Sequence, residues 1–139
     1  MLDLAQAKDA QIEQRLRSEL IIWLSTVRPD GRPHLVPVWF LWDGATFLIF
    51  SQPKDLKLRN LRQNPNVVLA LETRAHGNEV VLIEGQAVVL GNPTLKTTMP
   101  EYAEKYAALM KSMDWTAEWM ASRYSEVVRV TPTKFINWE

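Results

Sequence analysis

The chain has 139 residues, enough for one domain with a hydrophobic core. Sixteen basic residues balance sixteen acidic ones, so no global field draws nucleic acid or an anionic membrane to it. Cysteine is absent, which excludes disulfides and thiol chemistry, and two histidines far apart in sequence give no histidine-rich metal site.

The elements follow in chain order. Residues 5 to 19 read as a short amphipathic helix, with Ile12, Leu16 and Leu20 one turn apart. This start is polar rather than a signal peptide, and no run reaches membrane-spanning length, so a cytoplasmic protein is expected. Glu19 to Val27 reads as a strand. Arg28-Pro29-Asp30-Gly31 is a strong turn signal, because Pro presets φ and Gly permits φ > 0. Pro33 to Trp42 then returns as the second strand of a hairpin. Asp43-Gly44 makes another tight turn, and Thr46 to Ser51 a third strand. Pro53 to Asn64 looks helical, with Pro53 in the first turn and Asn64-Pro65 as the stop. Val67 to Glu72 is a strand, and Arg74 to Asn78 a polar loop. Val80 to Leu90 is a long strand bent at Gly85 and ended by Asn92-Pro93. Pro100 opens a helix to about Met113, with Tyr102, Tyr106, Leu109 and Met113 on one stripe. A short helix covers about 116 to 124. Two strands close the chain, Glu126 to Thr131 and Lys134 to Trp138, with Pro132 between them. Short strands between turn signals, with few helices, argue one antiparallel barrel or sandwich domain over residues 1–139. A closed or nearly closed barrel leaves fewer exposed edges.

The stretch Pro33 to Trp42 is apolar on both alternating faces. Leu35, Pro37, Trp39 and Leu41 fall on one side, and Val36, Val38, Phe40 and Trp42 on the other. Such a strand needs cover on both sides. Pro37 cannot donate to a ladder, so it belongs at an edge or a bulge.

The best site candidate is the helix at 53 to 64. It carries Lys54, Lys57, Arg59 and Arg62, and Lys57 borders the Leu58–Leu61 stripe. Ser51 ends the preceding strand at the helix N-terminus. A hydroxyl, a helix N-terminus and a nearby lysine together make a phosphate cradle. The other reading is a solvated basic face with Ser51 as a cap, which local pattern alone favours. His34 and His76 have no evident partners and read as surface residues. Tyr102, Tyr106, Trp115 and Trp119 are spaced for helix packing. No acid–base pair, nucleophile motif or Gly-rich phosphate loop is present, so in an enzyme a cofactor would bring the chemistry.

One ordered set of motifs resembles a known family. Gly31-Arg32-Pro33, Val36-Pro37-Val38-Trp39-Phe40, Asp43-Gly44, Ser51, Lys57-x-Arg59-Asn60-Leu61 and Asn64-Pro65 are similar to the pyridoxamine 5′-phosphate oxidase-like superfamily. The spacing resembles its flavin/deazaflavin oxidoreductase branch, as does the ending Val128-Arg129-Val130-Thr131-Pro132-Thr133-Lys134. The resemblance implies a mainly β, antiparallel split β-barrel with peripheral helices. It also implies a homodimer whose cofactor sites lie in the subunit interface. The cofactor would be FMN or coenzyme F420, with F420 preferred by the Trp-Phe-Leu-Trp-Asp-Gly run. By resemblance Lys57 holds the cofactor phosphate and Ser51 assists. The backbone of Val36, Pro37 and Val38 runs along the ring system. Lys54, Arg59 and Asn60 are further cofactor-binding candidates, although Arg59 and Asn60 alternatively fix the helix in place. Vitamin B6 oxidation is not expected, because the arginine-rich FMN segment and the C-terminal substrate pattern of that enzyme are missing. The implied activity is hydride transfer to or from a small organic substrate, with no catalytic side chain and no metal. The alternatives are a flavin or deazaflavin carrier or sensor without turnover, and a nucleic-acid-binding barrel.

Overall fold

A computed structural model describes the chain except residues 74–76, 78, 91 and 139, and describes only the backbone of 92–98. Helix α1 (Ala7–Ser18) leads into β1 (Ile22–Val27), β2 (Pro33–Val38), β3 (Leu41–Trp42) and β4 (Phe47–Ser51). Then come α2 (Leu56–Gln63), β5 (Asn66–Leu71), β6 (Val80–Leu90), α3 (Asn92–Lys105), α4 (Ala107–Ser112), α5 (Ala117–Arg123) and β7 (Glu126–Trp138). The strands form one antiparallel sheet in the order β2-β1-β5-β6-β7-β4-β3.

The sheet is a half-barrel around one core. Every strand contributes to it, through residues such as Leu24, Val38, Trp42, Ile49, Leu69, Ile83 and Val130. Ile12 and Leu16 of α1 and Leu58 and Leu61 of α2 join the same core. A second core lies where α3, α4 and α5 cover the other face of β3, β4 and β7. This explains β4, whose five residues are all buried: Phe47 and Ile49 face the first core, Leu48 and Phe50 the second.

Several boundaries differ from the sequence expectation, each for a local reason. β1 starts at Ile22, not Glu19, because Leu20 offers its carbonyl to the Tyr106 hydroxyl at 2.6 Å instead of a ladder. α2 starts at Leu56, so Pro53 lies in the turn before the helix. α3 runs from Asn92 with Pro100 inside it, and Tyr106 separates it from α4. The buried stripe is Tyr102, Tyr106 and Met110, while Met113 is exposed. The two expected closing strands are one strand, β7. Opposite Glu84 and Gly85 of β6 its register shifts, and Thr133 drops out of the ladder.

Gly85 makes that irregularity possible. A Cβ there would lie 2.7 Å from the Thr131 carbonyl oxygen and 3.0 Å from Val130 Cγ1. Backbone cannot retreat as a side-chain tip can, so Gly85→Ala is expected to cost about 1–3 kcal/mol. Equilibrium urea unfolding checks this; an unchanged midpoint would contradict the close approach.

Candidate functional site

β2 is an edge strand. Ile22 to Val27 pair with it on one side, and among the described residues no strand lies on the other. Pro37 keeps its place in the ladder, opposite Trp23, as an edge proline can. Strand pairing ends one residue later, at Val38. There the Phe40 N–H donates to the Tyr106 hydroxyl at 2.8 Å, and Lys105 Nζ donates to the Phe40 carbonyl at 2.7 Å. Side chains from α3 and the α3–α4 junction thus take over the backbone groups that a continuing strand would have paired. Burial pulls the Lys105 ammonium down to about 8, so it still carries the proton at neutral pH. The expectation of cover on both faces holds from Val38 to Trp42. It fails earlier, because Leu35 is 59% exposed.

The break turns Trp39 toward the helices. Its ring stacks on Tyr106 at 4.4 Å between centroids and meets Trp115 at 5.6 Å. A cavity of about 310 Å³ opens here. Pro37, Val38 and Trp39 form one wall, Phe50, Tyr102, Trp115 and Tyr124 add aromatic surface, and Lys57 stands in the lining. Predicted residues from two separate motifs therefore share one cavity.

At Lys57 the polar chemistry is concentrated. Ser51 Oγ donates to Asp55 Oδ2 at 2.9 Å, Lys57 Nζ to the same oxygen at 2.8 Å, and the Gln52 N–H to it at 3.2 Å. A hydroxyl, an ammonium and a backbone N–H thus converge on one anionic oxygen at the end of β4. Burial works to raise the Asp55 pKa, but the hydrogen bond and charge of Lys57, with Ser51 and Gln52, outweigh it and hold it below the ordinary value. This donor set suits a phosphate oxygen equally well. Ser51 is fully buried and the Lys57 side chain is 12% exposed, so both donors are held in place.

The other predicted residues take different places. Val36 packs against the first core, leaving its backbone on the β2 edge. Lys54 is exposed in the turn before α2, and Arg59 is exposed on the helix. Asn60 is buried and its Nδ2 donates to Thr26 Oγ1 at 3.0 Å, tying α2 to β1. That is the helix-fixing alternative for Asn60. His34 is half-buried on β2, and His76 lies outside the described residues. The sequence alone does not single out Asp55 or Gln52, and it gives Tyr106 only a packing role. The signal for Asp55 is an Asp at the helix start between Ser51 and Lys57.

Fold and site together define an antiparallel half-barrel with an anion cradle beside an aromatic cavity. Residues 9–139 match the family model described as pyridoxamine 5′-phosphate oxidase, and the chain belongs to that family. Among solved structures it is similar to an F420 reductase, with 25% identity and a TM-score of 0.70 over 89% of this chain and 94% of that one. It is also similar to a conserved hypothetical protein from Mycobacterium tuberculosis, with 27% identity and a TM-score of 0.75 over 94% of this chain and 83% of that one. HutZ, the heme storage protein from Vibrio cholerae, shares the fold alone, at 12% identity and a TM-score of 0.77 over 96% of each chain. No curated protein matches the sequence. The split-barrel expectation is borne out. Among the described residues, no helix is long and apolar enough to cross a membrane.

Proposed function

We propose that the protein is an oxidoreductase that binds a flavin-type cofactor and transfers hydride to or from a small organic substrate. One observation carries this reading: Ser51, the Gln52 N–H and Lys57 converge on a single anion position beside the aromatic cavity. Family membership supports a flavin-type ligand, and the 25% identity to an F420 reductase favours F420 over FMN.

When bound, the cofactor supplies hydride chemistry at N5 of FMN or C5 of F420. The residues of this chain bind, orient and exclude water. Lys57 and Ser51 hold the phosphate through charge-assisted and hydroxyl hydrogen bonds. The free edge of β2 at Val36, Pro37 and Val38 gives the ring a backbone to lie along, and Pro37 presents no N–H there. Lys54 and Arg59 add positive charge near the phosphate from exposed positions. Trp39 and Trp115 keep water from the cavity, and their flat faces suit a planar substrate. A second copy of the chain completes the site across the β2 edge, where Leu35 is 59% exposed.

Turnover separates this reading from a carrier. Reduced cofactor bound to the protein is mixed with a panel of electron-poor acceptors, and reoxidation is followed by absorbance. Oxidation faster than that of free cofactor supports the oxidoreductase. Protection from every acceptor would favour the carrier.

A further inference from the structure

We propose that Asp55 is a displaceable occupant of the anion cradle, holding the position of the ligand phosphate and turning away when phosphate binds. The ligand's identity rests on the cofactor reading above, but the cradle is tested apart from it.

Asp55 stands at the N-cap of α2, where Asp is among the preferred residues, yet its side chain makes no capping hydrogen bond. Its carboxylate points back instead. Oδ2 collects the Ser51 hydroxyl, the Gln52 N–H and the Lys57 ammonium, the very donors that a phosphate oxygen would use. The Ser51 hydroxyl and the Gln52 N–H each have one hydrogen to give, so the two anions cannot share them. A phosphate beside an ionised Asp55 would also meet like charge at close range. The parts differ in freedom to move. Ser51 is fully buried and Lys57 12% exposed, whereas the Asp55 side chain is 35% exposed. The carboxylate is therefore the part that leaves. A second position awaits it, because first-turn N–H groups of a helix donate to a capping carboxylate and favour its charge. The cradle is thus satisfied without ligand and becomes available at the cost of one side-chain rotation. Asp55 sets how tightly a phosphate must bind to enter.

A merely orienting role for Asp55 makes the opposite prediction. If the carboxylate only steadied Lys57, its removal would loosen the lysine and weaken phosphate binding.

The test compares the wild type with Asp55→Ser, which supplies a hydroxyl able to cap α2 and removes the charge, and with Asp55→Asn, which keeps the shape. Thermal unfolding establishes that each variant is folded. FMN and riboflavin, the same ring with and without phosphate, are titrated against all three proteins by tryptophan fluorescence. Inorganic phosphate is titrated in parallel while the Gln52 amide is followed by NMR. Asp55→Ser is expected to bind FMN about tenfold more tightly with riboflavin unchanged. The Gln52 amide should then saturate at lower phosphate in both variants. FMN binding that is unchanged or weaker in both variants overturns displacement and leaves the cofactor reading standing. F420 is titrated in the same way, and should neither FMN nor F420 bind any of the proteins, the cofactor reading fails and the phosphate titration decides alone. In that case tighter phosphate binding in the variants supports displacement, and equal or absent binding overturns it.

Discussion

Lys57→Ala is expected to weaken the proposed FMN or F420 binding by about 10–100-fold, the equivalent of about 1.5–3 kcal/mol for a hydrogen bond to a charged group. The size of the effect follows from the lysine's position. Its side chain is 12% exposed, lines the aromatic cavity, and lies within hydrogen-bond distance of the same oxygen as Ser51. A surface lysine paired in open solvent would give far less, because water screens exposed pairs. Arg59→Ala serves as the comparison, since Arg59 is exposed on the same helix. Its loss should cost only a few-fold. Isothermal titration of both variants checks the order. Equal losses in the two would mean that a diffuse basic face, not a defined cradle, attracts the ligand.

Tyr106→Phe is expected to lower stability by about 1–3 kcal/mol, because it strands the buried Phe40 N–H and also takes the partner of the part-buried Leu20 carbonyl. The hydroxyl accepts from the Phe40 N–H at 2.8 Å and lies 2.6 Å from the Leu20 carbonyl, to which it donates. The Phe40 carbonyl keeps Lys105, but the Phe40 N–H and the Leu20 carbonyl lose their partner. The ring itself is retained, so its stacking on Trp39 survives. Polar loss is thereby separated from packing loss. Urea unfolding at fixed m-value measures the cost. A change below about 0.5 kcal/mol would place the strand break under the control of packing alone.

Much of the fold is legible in the sequence because the signals are local. The Asp43-Gly44 turn, the bend at Gly85, the α2 stop at Asn64-Pro65 and the placement of the strands rest on φ preferences and alternation within a few residues. The break at Trp39–Phe40 is different. The partners of the Phe40 backbone lie on Lys105 and Tyr106, which are brought there by the covering helices. No pattern within Pro33 to Trp42 encodes it. The fusion of the two closing strands into β7 has a similar origin. Pro132 reads as a strand breaker, but its place opposite Gly85 lets the bulge absorb it. For the site, Ser51 and Lys57 are legible from motif order. The choice of Asp55 between capping α2 and filling the cradle is a side-chain rotation, and sequence carries no record of it.

Direct titration of the purified protein with FMN and with F420 tests the proposed cofactor binding most closely. Trp39 and Trp115 line the cavity, so their fluorescence reports occupancy. Saturable quenching at micromolar cofactor, with F420 tighter than FMN and both weakened by Lys57→Ala, is the predicted result. Absence of binding to either cofactor at that concentration would contradict the proposed function.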